Sequence, residues 1–101
     1  MRIIYTTQSY RSLERIISFL KEKLSYTEDD IRELRDRLFN KGDSLTDNPR
    51  IGQYETELVH LGKGHRRVIE GHFKIVYFIE MDTIYITDFF DTRQDPSKMK
   101  G

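Results

Sequence analysis

Residues 60–74 gather Lys63, Arg66, Arg67, Lys74 and all three histidines of the chain, His60, His65 and His72, against one acid, Glu70. Such a patch can hold an anion locally even where the whole chain has no net field. Glu70 and His72 flank Gly71, so a carboxylate and an imidazole stand where they could work as general base and acid, or simply as solvated residues at a turn. The histidines, five and seven residues apart across two bends, need not converge, and no metal site is expected from them. Arg67 and Arg93 could contact a ligand or pair with nearby carboxylates such as Glu70, Asp91 or Asp95. Lys74 sits mid-strand among apolar residues, where a lysine can also serve to discourage strand-edge aggregation. No glycine-rich phosphate loop occurs, and none of Ser9, Ser12, Ser18, Ser25 and Ser44 has the strained strand-to-helix setting of a hydrolase nucleophile.

Composition sets the frame. The 101 residues are expected to form one domain over 1–101, a length that buries roughly 60–70% of the surface of the unfolded chain without staples. Seventeen basic residues cancel seventeen acidic ones, which argues against a general polyanion binder. Cysteine is absent, which excludes disulfides and thiolate chemistry and fits a reducing compartment. The longest apolar run, Ile75 to Ile79, is five residues, and "MRIIYTTQSY" lacks a secretory apolar region, so a cytoplasmic location is expected.

The elements that must position these side chains follow from periodicity. "RIIYT" reads as a first strand. Tyr10, Leu13, Ile16, Ile17, Leu20 and Leu24 recur at three and four, which makes one stripe of a helix. Thr27 and Asp30 form a capping box, Glu28, Asp29 and Asp30 suit the positive end of a second helix, and Ile31, Leu34 and Leu38 give its apolar stripe, ending near Gly42. With only a short connection between them, the two helices should form an antiparallel hairpin. Residues 42–53 read as a loop. From Tyr54 the period changes to two: "YETELVHL" and "HRRVIE" read as strands, and Gly71 precedes a hairpin of 72–80 with 83–90. The fold class is therefore α+β, with an N-terminal strand and a helical hairpin packed on one face of a mainly antiparallel twisted sheet.

With Met81 and Asp82 at the hairpin tip, Glu80 faces Thr83, and Phe73, Ile75, Tyr77 and Ile79 share a face with Ile84, Ile86 and Phe90. A one-residue slip would bury Thr83, Tyr85 and Thr87 instead, and each large apolar side chain left exposed forfeits ~1.5–3 kcal/mol. Asp88 does not fit this pattern. Lys74, Val76 and Phe78 then share the second face with Phe89, Thr87 and Tyr85, an expected half-polar aromatic platform with Arg93 just beyond it.

This C-terminal half, with Arg67, Gly71, "FKIVY", "TIYI" and "FFDTRQDP", together with the order strand, two helices, sheet, resembles the RelE/ParE family of type II toxins over residues 2–96, nearer its ParE-like members. The resemblance implies the toxin of a toxin–antitoxin, or plasmid stabilisation, system, neutralised by a cognate antitoxin laid over it. ParE-like members poison DNA gyrase, and RelE-like members are metal-independent endoribonucleases that cut messenger RNA on the ribosome. Arg67 and Arg93 stand where the RNA-cutting members place phosphate-holding arginines, and Lys74 takes the place of a further arginine. Those three are the candidate target- or phosphate-contacting residues, with Glu70, His72 and Asp91 behind them. The pattern departs where Asp91 replaces a histidine, Gln94 replaces an arginine and Met99 falls near the usual tyrosine or histidine acid. Those departures and the zero net charge favour a non-nuclease, gyrase-directed toxin. The alternatives are a ribosome-dependent nuclease and a toxin-like domain without activity. No cofactor is implied.

Overall fold

The change of period at Tyr54 divides helices from sheet in the computed structural model, which describes residues 1–101. The chain runs β1 (Arg2–Tyr5), α1 (Thr7–Lys23), α2 (Glu28–Asp43), a 3-10 turn (Ser44–Thr46), β2 (Gln53–Tyr54), a 3-10 helix (Thr56–Leu61), β3 (Arg66–Glu70), β4 (Phe73–Glu80), β5 (Thr83–Asp91) and a last 3-10 turn (Pro96–Lys98). The five strands form one sheet in the order β1-β5-β4-β3-β2. Only β1, which pairs with β5 in parallel, departs from antiparallel.

α1 starts where the Thr6 hydroxyl accepts the Ser9 amide, and Leu13, Ile16, Ile17 and Leu20 are buried at helical spacing. Tyr10 and Leu24, expected on the same stripe, are about half exposed because they stand at its margin. The capping box on α2 forms as expected, Thr27 taking the Asp30 amide at 3.1 Å and Asp30 the Thr27 amide at 2.8 Å. α2 ends at Asp43, near Gly42 as expected. Gly42 itself is still helical, and a side chain there would collide with the Tyr5 ring.

Fifteen buried residues from α1, α2, the 3-10 turn at Leu45 and the facing side of the sheet make the main core. Its centre includes Ile75, Tyr77, Ile84 and Ile86, all fully buried. The Tyr77 hydroxyl is satisfied there, donating to the Pro49 carbonyl at 2.8 Å and accepting the Gly52 amide at 3.0 Å.

The register holds from Glu80↔Thr83 to Tyr77↔Ile86 and then shifts, since Val76 faces Asp88 and Thr87 is the extra residue of a β-bulge. Every later residue of β5 changes side. Phe89, opposite Ile75, enters the main core, while Phe90, opposite Lys74, goes to the second face, the reverse of the sequence expectation. The bulge also accounts for Asp88: an unbroken register would set its carboxylate opposite Ile75 in the apolar core, at a large desolvation cost, and the extra residue puts Phe89 there instead.

A second correction concerns "YETELVHL". Only Tyr54 of it is strand, and Thr56–Leu61 coil into a 3-10 helix. The Glu55 side chain caps that helix by accepting the Glu57 amide, and Leu58 turns inward while Val59 stays in solvent.

Candidate functional site

The second face of the sheet is roofed. Leu58 from the 3-10 helix and Met99 from the C-terminal segment close over Val76 and Phe90 in a small apolar cluster of their own. Phe78 is also buried, with His65 edge-on at 5.1 Å, Tyr85 stacked at 5.1 Å and the Lys63 ammonium 4.9 Å above its ring. The open aromatic platform expected from sequence is thus largely covered, because the bulge supplies Phe90 to this side and two non-strand segments fold over it.

Two of the three expected cations meet there. Lys74 is 22% exposed and donates to Glu55 Oε1 at 2.8 Å, and Arg67, 24% exposed, has its Nε 3.8 Å from the same oxygen. Glu55 itself is only 2% exposed. Burial pushes its carboxyl up, but Lys74, the Glu57 amide and Arg67 outweigh that and hold it below the usual carboxylate range. Arg67 also donates to the Tyr54 carbonyl and, at 3.1 Å, to Gln53 Oε1. Its neighbour Arg66 lies over the Tyr54 ring at 4.2 Å. The triad of Glu55, Lys74 and Arg67 pins the start of the 3-10 helix to β3 and β4.

The third cation is elsewhere. Arg93 grips Asp91 with Nε at 2.9 Å and Nη2 at 2.8 Å, and its amide donates to the same carboxylate at 2.9 Å. Against the effect of burial, Arg93 holds the Asp91 carboxyl below its usual range. Asp91 stands opposite Phe73 on the helix-facing side, so Arg93 lines a cavity beside α1 rather than joining Lys74. Glu70 and His72 make no hydrogen bond with each other. The His72 carbonyl instead accepts the Thr92 amide at 2.9 Å and its hydroxyl at 2.8 Å, tying the chain after β5 to the Gly71 turn. That turn uses the left-handed backbone of Gly71, at φ 60°. No three His, Asp or Glu side chains gather as metal ligands.

The cavity occupies about 850 Å³ between α1 and residues 93–100. Ile16 and Phe19 of α1 and Leu24 just past its end form its apolar wall, and Asp88 and Phe89 of β5 also line it. Phe19 is 49% exposed there. Sequence reading missed both this cavity and Glu55. Glu55 lay in an acidic stretch read as strand, and Asp88 was noticed only as a misfit.

A family model described as the ParE toxin of the type II toxin-antitoxin system parDE matches residues 3–96. The chain belongs to this family of toxins. Membership makes it a toxin of a type II toxin–antitoxin system and implies a cognate antitoxin as its partner. No curated protein matches the chain. The ParE match runs from β1 to Pro96, so Ser97–Gly101, which include the buried Met99, lie beyond it. No helix of this ParE-family chain is long and apolar enough to cross a membrane.

Proposed function

We propose that the chain arrests growth in the cytoplasm by binding a protein target, DNA gyrase, and that the cognate antitoxin neutralises it by covering its surface. The observation that carries this reading is that each expected cation already has a carboxylate in the fold: Lys74 and Arg67 share Glu55, and Arg93 holds Asp91. Cleavage of RNA by its own 2'-hydroxyl needs a base, an acid and cations converging on one phosphate. Two cations committed on one face and a third on the other support binding over that chemistry, as does the zero formal charge, since affinity for a polyanion grows with the number of phosphates neutralised.

Within this reading Arg93, 44% exposed, is the member of the trio placed to reach a target, while Arg67 and Lys74 hold the fold. Arg93→Lys keeps a charge beside Asp91 but loses the planar fork. It is expected to weaken growth arrest while the melting midpoint stays normal, and undiminished arrest at equal expression would refute the role. Induction of the unaltered chain in a bacterial host tests the whole reading. The expected result is a DNA-damage response with full-length transcripts; truncated messages without that response would establish the nuclease alternative, and continued growth would establish an inactive domain.

A further inference from the structure

We propose that the cavity between α1 and residues 93–100 seats an acidic, partly apolar segment of a partner polypeptide, which places a backbone N–H on Asp88 Oδ1 and covers Arg93. This rests on the reading that a partner polypeptide neutralises the toxin, and it says where and by what chemistry.

Asp88 carries the first part. The residue is 2% exposed and lines the cavity, and its Oδ1 is a buried acceptor with no hydrogen-bond partner in the chain. A buried acceptor left unpaired is destabilising, and a ligand donor would remove that cost. The other oxygen of the same carboxylate shows what donor fits, because Oδ2 accepts the backbone amide of Lys100 at 3.0 Å. Burial pushes this carboxyl above its usual range, against the pull of the Lys100 amide, so a donor arriving at Oδ1 also favours the ionised form.

The strand edge points to a peptide as well. β1 covers β5 only from Thr83 to Ile86, whereas β5 continues to Asp91. The last backbone bond to β5 from that side is Thr6 N–H to the Ile86 carbonyl, and beyond it the backbone on that edge bonds only the Gln8 side chain, at the Thr87 carbonyl, while Lys100 meets the Thr87 hydroxyl and the Asp88 carboxylate. An unpaired strand edge beside an apolar wall is a surface that a polypeptide segment can use.

Charge chooses the kind of segment. Arg15, Lys98 and Lys100 line the cavity without an ion-pair partner, and Arg93 adds a fourth cation, whereas the two acids are Asp91, already paired, and the buried Asp88. Carboxylates at the ends of the bound segment would meet this rim while apolar side chains lie on Phe19, Ile16 and Leu24. Of the four rim cations, Arg15 and Arg93 lie within the residues matched by the family and Lys98 and Lys100 beyond them.

The test uses the full-length protein, isotope-labelled for amide NMR, and two fluorescein-labelled 12-residue probes, a Glu-Leu-Glu-Ala repeat and a Lys-Leu-Lys-Ala repeat. The acidic probe is expected to bind at least about tenfold tighter and to shift the amides of Ser12, Phe19, Asp88 and Lys98. Asp88→Asn turns the unpaired acceptor into a donor and should weaken the acidic probe about tenfold, the worth of one charge-assisted hydrogen bond, with an equal or higher melting midpoint. The exposed pair Lys98→Glu and Lys100→Glu should weaken it as well. Equal binding of both probes, shifts confined to other surfaces, or Asp88→Asn binding as tightly as the unaltered chain would overturn the site. Growth arrest relieved by a partner that binds Asp88→Asn undiminished would sink this site and leave neutralisation standing; probe binding as expected in a chain that never arrests growth would do the reverse.

Discussion

The two faces of the sheet are built by different rules. The helix-facing side is closed by two amphipathic helices over one continuous apolar cluster, with the Asp91–Arg93 pair at its end. The other side has no helix longer than the short Thr56–Leu61 turn, and its cover is assembled from Leu58, Met99, the triad of Glu55, Lys74 and Arg67, and the unpartnered ring of His65. Periodic apolar burial gives most of the first face its stability, whereas the cover of the second depends largely on single charged contacts and should respond more to pH.

The largest effect expected from this contrast is at Ile86, fully buried under the helices, where Ile86→Ala should cost ~2–5 kcal/mol in a denaturant titration. Met99→Ala empties the second face, but its segment can settle into the space, so the loss should stay below ~2 kcal/mol. Equal losses at the two sites would mean that the faces do not differ as described.

Glu55→Gln keeps the cap on the Glu57 amide and removes the charge shared by Lys74 and Arg67, for an expected loss of about 1–3 kcal/mol near neutral pH. Because the Glu55 carboxyl is held low in the folded state, its stabilising effect is present above the ordinary carboxylate range and is lost as pH falls through the lowered value. The two proteins should therefore converge only in acid, below the lowered folded value. A gap that persists there would show that the triad contributes packing and not charge.

The smallest effect is at His65. Burial, with help from Lys63 and His60, lowers its pKa, so stability is full above the unfolded imidazole value of about 6.5 and declines as pH drops through the lowered folded value. His65→Leu should flatten that part of the pH–stability curve. Parallel curves for the two proteins would place the dependence elsewhere.

Much of the helix-facing side was legible because its signals are local. Thr27 and Asp30 mark a helix start, Leu13, Ile16, Ile17 and Leu20 repeat at helical spacing, and the Glu80 to Thr83 hairpin sets the register as far as Ile86. The bulge at Thr87 leaves no local trace: "TDFF" alternates no better in one phase than in the other, and what selects the phase is the cost of burying Asp88 under the helices. The second face was illegible for a related reason. Leu58 and Met99 meet across 41 positions of sequence, and the pairing of Lys74 and Arg67 with Glu55 needs the 3-10 turn that replaced an expected strand. Asp91, two residues from Arg93, was among the partners open to that arginine from sequence, whereas the meeting of Arg67 and Lys74 at Glu55 depended on these non-local contacts.

Supercoiling of relaxed plasmid by purified DNA gyrase, with the purified chain added in increasing amounts, most directly tests growth arrest by protein binding rather than RNA chemistry. The expected result is dose-dependent loss of supercoiled product, weakened by Arg93→Lys. Undiminished supercoiling at every dose, from a preparation that cuts ribosome-bound message in a parallel reaction, would contradict it.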